Sequence, residues 1–493
     1  MLRSFITPVL FRRFYSTNSL TTVKEALSKK PVNQKILVRG RVQALRKYKE
    51  LCFIDLIDGT CFDRLQIVIN AQDKEIPSCG NSIKVHGLVV KSSHKGQEIE
   101  LVADSWETVG TLPENHPLKD NHNYTPEYIR QFPHLRPRTK RFWCISSIRN
   151  HASMAVHKFF QEGEFCFYHT PVLTQNDCEG KREIFTAEFK ELPPEMLPKN
   201  EQSSTKNTQT VSDDDEENVS DEDEESGNSE YYFGAPTFLT GSGQFHLEAL
   251  ISGLPKVYNF GPAFRTEASR SRLHASEFQM IEAEIAYTES IDDLMNVVEK
   301  CLKQVTKSVM DRCPKELNFI TKDIKKHERY LENYVSKPFI KIPYKDAISI
   351  LQKNNSSFRK PIEYGDDIAT AHKQFLVKHC NNVPVFICTF PSSLTPAYMK
   401  IGENNKAYCF DLFAAYGGEI CGGGLREDDP EKLMKTGSFN HSSLEWYVDL
   451  RREEYLPHGG FGIGFDRFLL SILGISNLKD VIPFPRRKRE CKC

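Results

Sequence analysis

The chain has 493 residues, 39% of them hydrophobic and 27% charged, with a formal net charge of −1. That length supports two or three domains with sizeable cores, and no apolar run reaches the roughly 20 residues of a membrane-spanning helix. The near-neutral balance hides an asymmetry. Residues 212–225 hold ten acidic side chains and no basic one, so the remainder stands at about +9, a charge that suits an anionic partner.

Fourteen cysteines include no C-x-x-C pair and no regular spacing. They fit small buried hydrophobes in a reducing compartment better than a zinc site or a disulfide framework.

In chain order, residues 1–20 carry Arg3, Arg12 and Arg13, several hydroxyl side chains and no acid. That is the pattern of a mitochondrial transit peptide, with cleavage expected after Tyr15; the alternative is a basic start of no consequence. Short alternating runs follow at 36–42, 52–56, 65–69, 82–90 and 98–103, with an Asp58-Gly59 turn between two of them. Five such strands predict a small closed barrel of OB type over 30–112. Barrels of this kind stack bases on exposed aromatics in a basic groove, a role open to Phe53 with Arg39, Arg41, Arg46 and Lys47; core packing of Phe53 is the alternative.

Residues 113–140, rich in Pro, His and Arg, read as a linker, and 141–493 as the larger domain. Apolar spacing predicts a helix over 146–162, then a strand over 165–173 interrupted by Pro171, which marks a sheet edge or a strand near a partner subunit. About 191–230 is polar and acidic, a disordered insertion by composition. Beyond it the pattern predicts strands over 257–264 and 278–287, a helix over 294–310 and a tract at 330–383 without a clear period. Strands over 385–390 and 407–413, a Gly-dense segment at 417–424, and helices near 443–453 and 468–473 complete the chain.

The hairpin 257–287 concentrates charge. Its loop carries Arg265, Arg270, Arg272 and His274, suited to a polyphosphate. Its second strand puts Phe278, Met280, Glu282 and Glu284 on one face by the period-2 rule. A solvated charged hairpin is the bland alternative. Gly460, Gly462 and Gly464 are spaced G-x-G-x-G, with no preceding βαβ unit, and do not form a dinucleotide-binding loop.

Three stretches resemble the three motifs of class II aminoacyl-tRNA synthetases. Gly163 to Thr174 resembles the first, Phe264-Arg265-Thr266-Glu267 with the next strand the second, and Gly460 through Asp466-Arg467 the third. The N-terminal barrel places the resemblance in the aspartyl, asparaginyl and lysyl subgroup. Cys178-Glu179-Gly180, 239–244, Ile281-Glu282-Ala283-Glu284, 446–452 and 480–486 are similar to the asparaginyl-tRNA synthetases, the mitochondrial form included. The resemblance implies an α+β fold: an OB-type anticodon-binding barrel plus a catalytic domain on an antiparallel sheet flanked by helices.

It also implies activation of asparagine with ATP and Mg²⁺, transfer to tRNA(Asn), a homodimer formed through the first motif, and, with the transit segment, a place in the mitochondrial matrix. Arg265 would contact the α-phosphate, Glu267 the adenine amino group, and Arg272 with His274 the distal phosphates. Phe278 would stack on adenine and Arg467 close over its other face, with Asp411 and Glu419 as magnesium ligands. Glu179, Ser242, Gln244, Glu282 and Arg426 would hold asparagine. Arg426 donates to the amide carbonyl in this reading, and the NH₂ goes to Glu282 or Glu284, of which Glu282 is preferred. In the barrel, Phe53 and Gln66 would stack on and read the middle anticodon base, and Arg41 would hold backbone phosphate.

The chain departs from the family pattern at Leu273, where an arginine is usual, at Asp466 in place of glutamate, and at 391–396, which lacks lysines. Two other readings stay open: a non-discriminating aspartyl enzyme, and an RNA-binding paralogue that has lost ligation.

Overall fold

A computed structural model describes residues 20–72, 76–93, 96–119, 122–176, 184–188, 231–266, 271–439, 442–454 and 456–493. The transit segment up to residue 19, the insertion 191–230, Glu179 and Glu267 lie outside these. The described residues divide into two compact units, those up to 151 with 310–322, and those of 152–309 with 323–492.

The first unit holds the barrel. Its strands are β1 (Lys35–Lys47), β2 (Leu51–Ile57), β3 (Leu65–Asn70), β4 (Ser82–Lys91) and β5 (Ile99–Gly110), closed in the order β1-β2-β3-β5-β4. Strict alternation produces it: in β4, Ile83, Val85 and Val89 are buried while their neighbours face outward. Closure removes the sheet edges. All five expected strands are present, several longer than their apolar runs. The helix Val23–Lys29 is held by a capping box between Thr22 and Glu25, and its first N–H donates to Asp58.

The helix Lys140–Glu162 begins six residues before its expected start. Cys144 and Ile145 are buried with Ile148 and extend its apolar stripe backward; the Pro- and Arg-rich approach obscures them in the sequence.

The second unit is built on an eight-stranded sheet. Its strands are β6 (Cys166–Phe167), β10 (Lys256–Phe264), β11 (Glu277–Ala286), β12 (Ile340–Pro343), β13 (Val385–Cys388), β14 (Cys409–Ala414), β15 (Gly418–Leu425) and β16 (His458–Gly464). They lie in the order β12-β13-β14-β15-β16-β11-β10-β6. Pairing is antiparallel except for β6 on β10 and β12 on β13. A small sheet comprises β7 (Leu173–Thr174), β8 (Thr186–Ala187) and β9 (Thr237–Leu239). The expected strand 165–173 is therefore two short pieces in different sheets. Pro171 lies between them, after the chain has left the sheet edge at β6, where a missing N–H costs no ladder bond. Residues 330–383, silent in sequence, supply the end of the helix Ile324–Ser336, β12, and the helices Tyr344–Gln352 and Thr370–His379.

Register decides what the sheet can carry. Asn259 of β10 faces Glu282 of β11, which faces Gly462 of β16, then Gly422 of β15, then Asp411 of β14. One row of the sheet thus puts Glu282 and Asp411 on the same face with two glycines between them. In the next row Glu284 faces Gly460. The glycines of β16 are a bare floor: a Cβ on Gly460 would come within 2.1 Å of Glu284 Oε1, and one on Gly462 within 2.7 Å of Met280 Cε.

Candidate active site

A cavity of about 290 Å³ opens over this floor. At one end stand Arg265, His274, Phe278 and Arg467 with Asp411 and Glu419; at the other Ser242, Gln244, Glu282, Glu284 and Arg426. Eleven of the candidate residues are therefore brought together. Arg272 does not line the cavity; its carbonyl accepts from the Leu478 N–H at 2.8 Å.

At the basic end, the Arg265 guanidinium lies 5.3 Å from the Phe278 ring centre, and Ser271 and His274 are hydrogen-bonded in the loop. Arg467, on the first turn of the helix Phe465–Leu473, donates from Nε to the Leu273 carbonyl at 3.2 Å and from Nη1 to the Glu419 carbonyl at 3.0 Å. Asp466 beside it accepts from the Gln279 N–H at 2.8 Å, so its shorter carboxylate is tied to β11. Two arginines on one rim suit phosphate oxygens, which their planar forks match.

Asp411 and Glu419 approach across the β14–β15 hairpin. Burial, and then Glu419, push the Asp411 carboxyl well above its usual range. Burial also acts to raise Glu419, but Lys373, 3.1 Å away, with Arg467 and Arg265, outweighs it and leaves that carboxyl low. Two close carboxylates under this like-charge pressure form a donor set that suits a divalent cation, provided phosphate oxygens complete the shell. Among the described residues no group of three or more His, Cys, Asp or Glu could hold a metal on its own.

The other end is more buried. Glu282 accepts from Gly243 N at 2.9 Å, from Asn259 Nδ2 at 3.0 Å, and from Ser242 Oγ. Close packing makes this geometry, since a Cβ on Gly243 would meet Asn259 Nδ2 at 2.2 Å. Arg426 pairs with Glu284, not with Glu282: Nη2 to Oε1 is 2.5 Å and Nε to Oε2 3.4 Å. Its Nη1 donates to the weak acceptor Met399 Sδ at 3.7 Å, and the Tyr398 ring lies 5.3 Å from its guanidinium. Burial, chiefly, raises the Glu284 carboxyl to about 7; Arg426 opposes the rise and Glu248 adds to it.

Sequence reasoning missed several residues here. Asp367 lines the cavity and Lys373 holds Glu419, both from the tract without a period. Asn259 looks like an ordinary strand residue, and only its cross-strand partner reveals it.

In the barrel, Arg46 forms a fork on buried Asp55 at 3.0 and 2.9 Å and reaches Gln66 Oε1 at 3.3 Å. Gln66 Nε2 donates to Glu100 at 2.9 Å. Phe53, opposite Arg46 in the ladder, is only partly buried and meets Tyr48 edge-on at 5.6 Å. Arg41 is not in this cluster; its Nη2 donates to the Arg138 carbonyl at 2.8 Å.

Comparison with known proteins agrees with this architecture. Residues 36–109 match the family described as OB-fold nucleic acid binding domain, and 218–488 match tRNA synthetases class II (D, K and N). A closed five-stranded barrel and a largely antiparallel sheet carrying these motifs define a class II aminoacyl-tRNA synthetase. The chain is 37% identical to the mouse asparaginyl-tRNA synthetase, over 92% of this chain and 91% of that one. It is 33% identical to a Dictyostelium discoideum protein named probable asparagine–tRNA ligase, mitochondrial, over 98% and 99%. A Pyrococcus horikoshii asparaginyl-tRNA synthetase, solved with asparaginyl-adenylate, superposes with a TM-score of 0.79 at 25% identity, covering 95% of this chain and 98% of that one. Within its class, the chain belongs to the asparaginyl-tRNA synthetase family.

Proposed function

We propose that this chain activates L-asparagine with ATP and transfers it to tRNA(Asn) in the mitochondrial matrix, as a homodimer. The observation that carries the substrate is the Arg426–Glu284 pair at the buried end of the cavity. An amide offers a carbonyl acceptor and an NH₂ donor. Arg426 Nη1 serves the first and Glu284 the second, since an ionised carboxylate is acceptor-only. Glu282 belongs to the same asparagine site, at the α-amino end with Ser242 and Gln244. Its oxygens accept from groups around Ser242, whereas Glu284 is the carboxylate beside Arg426.

In the activation step the asparagine carboxylate attacks the α-phosphorus of ATP; a new C–O–P bond forms and pyrophosphate leaves with the electron pair of the broken P–O bond. No general base is required, so the residues act by positioning and by offsetting charge. Arg265 holds the α-phosphate, Arg467 and His274 the distal phosphates, and Phe278 packs on the adenine. Asp411 and Glu419 would hold Mg²⁺, which when bound neutralises charge on the phosphates. Phe53 and Gln66 stack on and read an anticodon base, and Arg46 orients Gln66.

The acid-free basic stretch before residue 20 and the Dictyostelium relative support mitochondrial import. The motif 1 resemblance supports the homodimer. ATP–pyrophosphate exchange tests the activity: stimulation by asparagine and not by aspartate is expected. Equal stimulation by aspartate favours the non-discriminating aspartyl enzyme, and no exchange an inactive paralogue.

A further inference from the structure

Glu248 lies one turn beyond Gln244 on the helix Gln244–Leu250, and its side chain has no solvent exposure. A carboxylate in such a place must be compensated or it would not stay charged. Its partners come from its own helix, the helix Glu445–Glu453 and β16. Tyr447 Oη donates to it at 2.9 and 3.0 Å, Gln244 Nε2 at 2.8 Å, His458 Nε2 lies at 3.0 Å, and Arg451 Nη2 closes an ion pair. Arg426 Nε is 3.7 Å from its Oε1, so the guanidinium of Arg426 is flanked by Glu284 and Glu248.

This arrangement bears on a chemical difficulty in the substrate reading above, on which the inference rests. A lone arginine fork is a receptor for carboxylates and would favour aspartate over asparagine. Arg451, buried nearby with 3% side-chain exposure, adds a second cation to the same region. One carboxylate, Glu284, cannot offset two guanidinium groups. Glu248 supplies the second negative charge, and it does so without touching the cavity.

We propose that Glu248 is a positioning and specificity-determining residue for amino-acid selection. It fixes Arg426 and Gln244 from behind and offsets Arg451, so that the amide-reading end of the cavity holds a neutral side chain and rejects a carboxylate.

The charge argument predicts a fall in selectivity for one member of the Glu248–Arg451 pair and no fall for the other. In ATP–pyrophosphate exchange near pH 8, Glu248→Gln should lower the asparagine-to-aspartate ratio of kcat/KM by about tenfold, because an uncompensated positive charge remains. Arg451→Gln should leave that ratio unchanged or raise it, while raising the KM for asparagine about tenfold as Glu248 draws Arg426 away. Glu248→Asp, which keeps the charge, should keep the ratio. A structural role alone would depress both amino acids together. Equal losses for both in Glu248→Gln, or a lower ratio in Arg451→Gln, would overturn the proposal. If Glu248→Gln does not accumulate as folded protein, Arg451→Gln decides by the direction of its ratio. Absence of asparagine-dependent exchange in the parent chain would instead refute the substrate reading and leave the geometry around Glu248 untouched.

Discussion

Arg467 is tied to the backbone of Leu273: its Nε donates to the Leu273 carbonyl at 3.2 Å. The backbone at this position is thereby fixed to the basic rim of the cavity whatever its side chain. Arg467→Lys loses the fork that spans the Leu273 and Glu419 carbonyls. It is expected to lower kcat/KM for ATP on the order of 100-fold. Leu273→Ala should stay within about threefold. Exchange kinetics at varied ATP check both, and a large loss in Leu273→Ala with little in Arg467→Lys would reverse the assignment.

The two glutamates of β11 should separate by phenotype. Glu284→Gln removes the charge beside Arg426 and is expected to cut discrimination against aspartate about tenfold. Glu282→Gln weakens three hydrogen bonds to a charged acceptor, together a few kcal/mol. It should raise the KM for asparagine tenfold or more, as an order-of-magnitude estimate, and leave discrimination within about threefold. A specificity change confined to Glu282→Gln would restore the preference drawn from sequence.

Gly460→Ala places a Cβ 2.1 Å from Glu284 Oε1 and 2.4 Å from the Ala283 carbonyl. One contact is a salt-bridged side chain and the other is backbone, so neither yields easily. We expect a loss of about 1–3 kcal/mol in urea unfolding together with weakened asparagine binding. Wild-type stability with full exchange activity would show that the floor is looser than its packing implies.

In the barrel, Phe53→Ala should raise the KM for tRNA(Asn) in aminoacylation by roughly 10-fold, the scale of one lost base stack. ATP–pyrophosphate exchange without tRNA should not change. An equal loss in both assays would make Phe53 a core residue, the alternative that its alternation pattern left open.

Selectivity should depend on pH through Glu284. Burial lifts its carboxyl to about 7, against the pull of Arg426. Below that pH the group is protonated in the folded chain, and Arg426 loses part of its compensation. The asparagine-to-aspartate ratio is therefore expected to fall between about pH 8 and pH 6 and to be flatter in Glu284→Gln. The stability effect has its own sign: between the ordinary value of 4.5 and about 7 the folded chain keeps a proton that the unfolded chain has lost. This group's contribution to stability therefore declines as pH rises through that window. An identical pH slope in Glu284→Gln would assign the effect elsewhere.

The amino-acid sequence by itself determined most of the elements and much of the cast, though not the tract 330–383 nor Asn259, Asp367 and Lys373. Alternation in 36–103 specified a barrel because period 2 separates buried from exposed side chains along each strand. The hairpin around Arg265 announced its chemistry because a cationic loop and carboxylate-bearing strands lie close together in the chain. Only the tertiary structure decided partnership. Glu282 and Glu284 share one strand face and cannot be told apart by periodicity. They differ because Asn259 stands across from one, while Arg426, 142 residues further along the chain, closes on the other. Glu248 reads as one more polar residue on a helix. Its burial beneath Arg426 exists only after β15, β16 and the helix Glu445–Glu453 have packed around it. Charge selection depends on distances between side chains remote in sequence, and those distances are set by packing.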